Sequence, residues 1–353
     1  DVVVAKPGSV VHVAARPATL DLLRASGLAL TILEPDMEAA AARPDKGPGF
    51  GVYHTYSESI AWMDSLRLLY PQVVSEKWSL GLSGEGREIW CFRVSDNPDL
   101  DEDEPEVLID GMHHAREIMA SEFPVMFAEY LAQNYGIDPE ITWLVDNRVL
   151  YVVPIVNPDG FVYNEINYPS GGGMWRKNRR NNGDGSFGVD LNRNYPYQWG
   201  YNDSGSSPFG SSDVYRGPSP GSEPEVQALM AFVNGRQIRT HDSVHTYSNL
   251  LLYPWGYTAA TNPDAAIFAQ MATAMTSENG YQAGQPPVIL YDVNGGSIDW
   301  MYGATSEHDR ILSFCTEIGT TGFWPDGSER ASLFQENIWP HIYLMRAAGP
   351  YTA

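Results

Sequence analysis

The chain has 353 residues, 43% of them hydrophobic and 12% aromatic, which suits a globular protein with one large α/β domain and an appendage. Its formal net charge of −22 argues against nucleic acid and anionic membrane surfaces as partners. No apolar run reaches the roughly eighteen residues that a membrane-spanning helix needs. In chain order, residues 1–42 read as strand, helix, strand and helix ("VVHVAA", "ATLDLLRASG", "LALTILE", "DMEAAAA"), followed by the linker "RPDKGPG". This predicts a small module over 1–47 and a main domain over 48–353. The helix pattern "YSESIAWMDSLRLLY" opens the main domain, and apolar strands follow at "IWCFRV", "VLIDGM" and "VLYVVPIV". An amphipathic helix is expected at "EFPVMFAEYLAQNY". A glycine- and asparagine-rich excursion from about Tyr168 to Gly221 keeps its aromatic and arginine residues, the mark of a functional loop. A helix at "EPEVQALMAFVNGR", strands at "HDSVHTY" and "ILSFCTE", and a last helix "ASLFQENIWPHIYLMRAA" complete the pattern. The fold class is α/β, with a mixed central sheet and helices on both faces. Cys91 and Cys315 both sit in apolar runs and read as buried free thiols.

The stretch "GMHHAREIM" falls between a buried strand and a helix, and strand ends in α/β proteins are where chemistry gathers. His114 and Glu117, three apart, can face one cation, and His245 in "SVHTY" can add a third ligand from another strand end. Two histidines and a carboxylate, with one position left for water, is the set that hydrolytic zinc sites use. Asn192 and Arg193 in "DLNRNYP" are donors suited to a planar carboxylate. Arg176 lies in "GGGMWRKNRR", Tyr291 precedes a glycine pair in "LYDVNGGSIDW", and "FCTEIGT" ends an apolar strand on Glu317. A carboxylate there is costly to bury without a role or a partner. Taken singly, Arg193 reads equally well as a structural ion-pair residue and Glu317 as a paired strand-end acid.

Together, "HHARE", "NPDG", "WRKN", "DLNRN", "VHTYS", Tyr291 and Glu317 resemble the zinc metallocarboxypeptidases, in order, from about Tyr53 to the C-terminus. "HHARE" and the acidic stretch before it resemble most the bacterial T-type members. The resemblance implies one zinc ion on His114, Glu117 and His245, a ligand set carried over from the family's carboxypeptidase A. It makes His113 a packed neighbour and Glu317 the general base. Arg176 becomes the stabiliser of the oxyanion, and Asn192, Arg193 and Tyr291 the clamp for a free C-terminal carboxylate. Tyr247 would border the extended substrate, Arg116 would either do the same or form a structural pair with a nearby acid, and Ile298 would border the pocket for the C-terminal side chain. That pocket reads Leu252, Gly256, Leu290, Val293, Gly296, Ile298 and Cys315, with Asp299 turned away, so apolar or aromatic C-terminal residues are expected. Residues 1–47 would be a partial pro-segment or an accessory module, and cis peptide bonds are implied at Thr246–Tyr247 and Pro254–Trp255. "SDNPDLDEDEPE" packs six or more carboxylates into one loop, and T-type relatives place calcium there. The matching acids are Asp96, Asp101, Glu102, Glu104 and Glu106. A secreted monomer acting on peptide or protein C-termini is expected. A peptidoglycan-type amidase or endopeptidase on the same scaffold, or an inactive peptide-binding homologue, stays open beside it.

Overall fold

The computed structural model describes residues 50–351. The expected N-terminal module and linker lie outside the described residues. The order is α1 (Tyr56–Leu69), β1 (Trp78–Leu82), β2 (Glu88–Val94), β3 (Glu106–Gly111), α2 (Ile118–Asn134), α3 (Pro139–Asp146), β4 (Val149–Val153) and α4 (Pro158–Asn167). After a long loop come α5 (Pro224–Asn234), β5 (Ile238–His245), β6 (Leu250–Leu252), α6 (Ala265–Met275), β7 (Gln282–Gly284) and α7 (Pro286–Ile289). The described chain closes with α8 (Ser297–Gly303), β8 (Leu312–Glu317) and α9 (Arg330–Ala347). The 168–221 excursion holds one 3₁₀ turn, Leu191–Arg193, and isolated bridges.

The eight strands form one mixed sheet in the order β1-β2-β4-β3-β5-β8-β6-β7. Its centre, β4-β3-β5-β8, is parallel, so those strands deliver their C-terminal ends to one edge. The expected mixed sheet with helices on both faces is what forms. The period-2 alternation of strand side chains splits the core in two. Val107 and Ile109 of β3 join the helices α1, α2, α6 and α9 on one face. Leu108 turns to the other, with Val226 and Leu229 of α5 and Trp300 of α8. On β5 and β8 the same alternation puts His241, Ser243 and His245 beside Ser313, Cys315 and Glu317, in register.

Local chemistry explains the boundaries. Thr55 caps α1 in a capping box with Glu58. β4 stops at Val153 because Pro154 has no N–H to continue the ladder, so the expected strand through Val156 is cut short. The "NPDG" motif opens α4: Asn157 caps it through Gly160 N, and Pro158 occupies the first turn. The helix expected to be amphipathic, α2, has Ile118 to Val125 buried without a break. Glu122 within that run accepts from the backbone N–H of His54 at 2.7 Å and from Arg330 Nη2 at 2.6 Å, which satisfies its buried carboxylate. Gly111 ends β3 where a Cβ would lie 1.9 Å from the Ala120 carbonyl oxygen. Only glycine lets α2 begin so close to the strand that carries the site. Cys91 and Cys315 are both free and buried. Among the described residues, no helix is long and apolar enough to cross a membrane.

Candidate active site

Three ligand-type side chains converge just beyond the C-terminal ends of β3 and β5. His114 Nδ1 lies 2.8 Å from Glu117 Oε1, His245 Nδ1 lies 2.9 Å from Glu117 Oε2, and the two Nδ1 atoms are 3.0 Å apart. All three residues are buried, and one donor atom from each falls within 4.8 Å of the others. Two imidazole nitrogens and a carboxylate oxygen aimed at one point fit a zinc ion. Asp190 supports the set from behind. Its Oδ1 is 3.2 Å from His114 Nε2, off the line of an ideal hydrogen bond, and its Oδ2 accepts from Arg176 Nε and Nη2 at 3.1 and 2.9 Å. Burial disfavours the charged form of Glu117, but His114 and His245 outweigh it and hold its pKa well below the usual carboxylate range. Burial also works against a charged His245, yet Glu117 pushes its pKa up.

Glu317 ends β8 directly beside His245 in the sheet register. Burial first, then the Glu117 charge, raises its pKa to about 7. The cleft it faces is lined by His114, Arg176, Asn192, Arg193, Tyr291 and Ile298. Arg193 is 2% exposed; Nε donates to Gly205 O and Nη1 to Asn192 O, both at 2.8 Å. Asn192 Oδ1 accepts from Ser297 N at 2.8 Å, which turns its amide N–H₂ the other way. Gly295 (φ +64) brings the turn against Arg193, where a Cβ would meet the Arg193 carbonyl oxygen at 2.6 Å. Arg176 stays cationic: burial opposes the charge, but Asp190 and Glu117 raise its pKa.

A family profile described as zinc carboxypeptidase matches residues 59–338. The chain belongs to the zinc carboxypeptidase family. Its members are hydrolases that act on peptide bonds at peptide C-termini. Carboxypeptidase A1 of Sus scrofa is 34% identical over 321 residues, covering 85% of this chain and 73% of the pig protein. Carboxypeptidase A1 of Rattus norvegicus is 36% identical over 281 residues, with 77% of this chain matched to 64% of its own length. A zinc carboxypeptidase of Saccharothrix mutabilis subsp. capreolus is 32% identical, covering 95% of this chain and 81% of its own. The structure of bovine thrombin-activatable fibrinolysis inhibitor in complex with tick carboxypeptidase inhibitor superposes with TM-score 0.73 at 27% identity, over 84% of this chain and 97% of that one. Carboxypeptidase A from Helicoverpa armigera shares the fold, with TM-score 0.75 at 24% identity over 94% of this chain and 85% of that one.

In this zinc carboxypeptidase the remaining predicted residues fall in three places. Arg116 stacks on Phe323 at 4.2 Å and lies 3.6 Å from Asp213, while Tyr247 meets the same Phe323 edge-on at 5.0 Å. Thr246–Tyr247 and Pro254–Trp255 are both cis. Ile298, Val293, Leu252, Leu290, Gly256, Gly296 and Cys315 line one end of the cleft, joined by Pro286 and by Asp299. Asp299 thus borders the cleft where it was expected to face away, but it holds structure as expected. Its carboxylate accepts from Gly256 N at 2.8 and 3.0 Å and from Tyr257 N at 3.0 Å, and burial raises its pKa to about 7. Of the five acids matched to a calcium loop, Asp96, Glu102 and Glu104 come together. Asp101 does not join them, because it pairs with Arg236 at 2.8 Å. Nor does Glu106, which is buried on β3 and accepts from Gln237 N at 2.7 Å. His113 is a packed neighbour bonded to the Tyr195 hydroxyl at 2.8 Å, and burial drives its pKa down to about 3. Sequence reasoning missed Asp190, although it stands inside the quoted "DLNRN".

Proposed function

We propose that this chain is a zinc-dependent exopeptidase that removes apolar or aromatic residues from peptide C-termini, as a secreted monomer. The observation that carries this reading is one cleft that joins the His114–Glu117–His245 set, Glu317 and the Arg193–Asn192–Tyr291 group to a pocket walled by apolar side chains. Zinc bound by the three ligands would supply a Lewis acid that acidifies water and polarises the scissile carbonyl. Glu317 takes the proton of the attacking water and passes it to the leaving amine, as the C–O bond forms and the C–N bond breaks. Arg176, fixed by Asp190, faces the charge that grows on the carbonyl oxygen. Arg193, Asn192 and Tyr291 hold the free carboxylate of the substrate. An internal peptide bond offers no such group, which favours the exopeptidase over an amidase or endopeptidase of the same scaffold. An inactive homologue would be expected to lack a ligand or the base, and all are present. Zinc content, together with release of a free amino acid from a blocked dipeptide, tests the reading. A protein with one zinc that cuts only internal or amidated bonds would overturn it.

Preference follows from the pocket wall. Ile298, Val293 and Cys315 carry no charge, and burial raises the Cys315 pKa well above the ordinary thiol value. Both oxygens of Asp299 are engaged by backbone N–H groups. A Lys or Arg head group placed there would lose water and meet only a carboxyl whose charge burial opposes and which two backbone N–H groups already hold, at a cost of several kcal/mol. Burial of a Phe or Leu side chain gains roughly 1.5–3 kcal/mol. Blocked dipeptides ending in Phe or Leu should exceed those ending in Arg at least tenfold in kcat/KM, which about 1.4 kcal/mol supplies. Equal rates for Phe and Arg would mean that Asp299 gives up its backbone partners to the substrate.

The acidic loop is proposed to take calcium on Asp96, Glu102 and Glu104. Glu102 Oε2 and Glu104 Oε2 are buried oxygens without a hydrogen-bond partner, and oxygen clusters of this kind suit a hard cation. Burial, then Asp96 and Glu102, raises the Glu104 pKa to about 7. A carboxyl with a raised folded pKa contributes stability below its ordinary value, and that stability is lost as pH rises toward 7. Calcium should therefore raise Tm at pH 7–8 and have little effect near pH 5, with zinc held saturating. A Tm indifferent to calcium at both values removes the site.

A further inference from the structure

The side of the His245 ring turned away from His114 and Glu117 meets a buried hydrogen-bond chain. His245 Nε2 lies 3.3 Å from Ser243 Oγ, and Ser243 Oγ lies 2.8 Å from Asp110 Oδ1. The other Asp110 oxygen is 2.8 Å from His241 Nε2, whose Nδ1 is 2.7 Å from Ser313 Oγ. The strand period brings these groups together. His241, Ser243 and His245 share one face of β5, with Asp110 of β3 paired to Ser243 on one side and Ser313 of β8 paired to His241 on the other. All are essentially excluded from solvent.

Counting protons gives the chain a direction. Burial disfavours a charged Asp110, but His241 and His113 outweigh it and keep its pKa low, so its oxygens only accept. The single Ser243 proton therefore goes to Asp110, and Ser243 Oγ offers only lone pairs to its other neighbours. His113 Nδ1, at 3.3 Å, takes one of them as a donor, while His113 Nε2 accepts from the Tyr195 hydroxyl. His245 Nε2 faces the other lone pair and must carry a proton to use it. The Asn192 amide nitrogen, 3.5 Å from His245 Nε2, only donates and would need an unprotonated Nε2, so it competes with Ser243 for the tautomer from the longer distance. With its proton on Nε2, a neutral His245 has its lone pair on Nδ1, the nitrogen turned toward His114 and Glu117.

The geometry points to Asp110 as a positioning residue that acts through Ser243 to fix His245 in the Nε2–H tautomer and so present Nδ1 to zinc. This inference rests on the reading of His245 as a zinc ligand, which is checked separately. Wild type should hold one zinc and His245→Ala should lose it; if His245→Ala binds zinc as wild type does, the ligand reading itself fails. With the ligand confirmed, zinc dissociation constants are measured by competition with a chromophoric chelator for Ser243→Ala, Ser243→Thr, Asp110→Ala and the Asp110→Ala/Ser243→Ala pair. The Tm of each metal-free protein is recorded beside them. Ser243→Ala should weaken zinc binding about 10–100-fold, the usual loss when the partner of a liganding histidine is removed. Ser243→Thr, which keeps the hydroxyl, should restore most of it. Asp110→Ala should also weaken zinc binding, and the double variant should be no weaker than Ser243→Ala, because without Ser243 the aspartate has no route to His245. Zinc constants within twofold of wild type in both single alanine variants, with only Tm lowered, would reduce the chain to a structural role. Additive losses in the double variant would show that Asp110 reaches the metal site by another path.

Discussion

Replacing Glu317 by Gln should lower kcat by about 10²–10⁴-fold while zinc content and peptide affinity stay near wild type. The substitution keeps the volume and planarity of a half-buried side chain at the end of β8, beside His245 and in the same cleft as Arg176 and Arg193. It removes only the ability to accept a proton. Other roles for this carboxylate predict different results. As a fourth metal ligand it would take zinc affinity down with it. As a structural acid it would affect Tm and leave kcat alone. Burial and the neighbouring Glu117 make its charge costly, and no ion pair to it forms among the described residues, so the amide should be tolerated or should stabilise the metal-free protein. Single-turnover rates, equilibrium binding of a slow substrate and zinc per chain separate the three cases. A variant that turns over at near-wild-type rate would remove Glu317 from the mechanism.

The site was more legible in the sequence than the elements that support it. His114, Glu117 and Glu317 each stand at or just past the end of an apolar run, and buried parallel strands write such runs continuously, whereas His245 ends the largely polar strand Ile238–His245. Strands β6 and β7 are three residues each, too short to show any period, yet β6 pairs Leu250 with Glu317 and Leu252 with Cys315 to close the specificity wall. Helix α4 was hidden because "NPDG" carries turn chemistry, and capping by Asn157 converts the same residues into a helix start. Asp190 was hidden for another reason. Its importance lies in two contacts made across the long loop, to Arg176 and to the β3–α2 junction, and no local pattern encodes them. The acidic loop shows the same limit. Sequence counts the carboxylates, but Arg236 just beyond α5 withdraws Asp101, and the strand start withdraws Glu106. Asp110 and Ser243 were visible as polar residues inside buried strands, a pattern that signals a network before it reveals what the network serves.

The second large effect is expected at Arg193, where Arg193→Lys should lower kcat/KM on a peptide with a free C-terminus by about 10²–10³-fold. The side chain is 2% exposed, and two of its nitrogens are bound to the carbonyl oxygens of Gly205 and Asn192. Those bonds hold the guanidinium plane in the cleft before substrate arrives, so little entropy is lost when a carboxylate docks. Lysine keeps the charge but cannot reproduce the planar fork or both backbone bonds at once. Disrupting one partner of a desolvated, hydrogen-bonded charge pair costs about 3–5 kcal/mol when the whole group goes, and lysine should recover part of that. About 1.4 kcal/mol per decade turns the remainder into the stated loss. The change leaves Asp190 its two bonds to Arg176, so zinc content should not fall. A substrate amidated at its C-terminus supplies the decisive control. Wild type should lose most of its activity on the amide, and Arg193→Lys should add little further loss, because the interaction it weakens is already gone. If the variant instead prefers carboxylate to amide as strongly as wild type does, the carboxylate is recognised elsewhere, and Arg193 is only a brace between the Gly205 loop and the turn that carries Asn192.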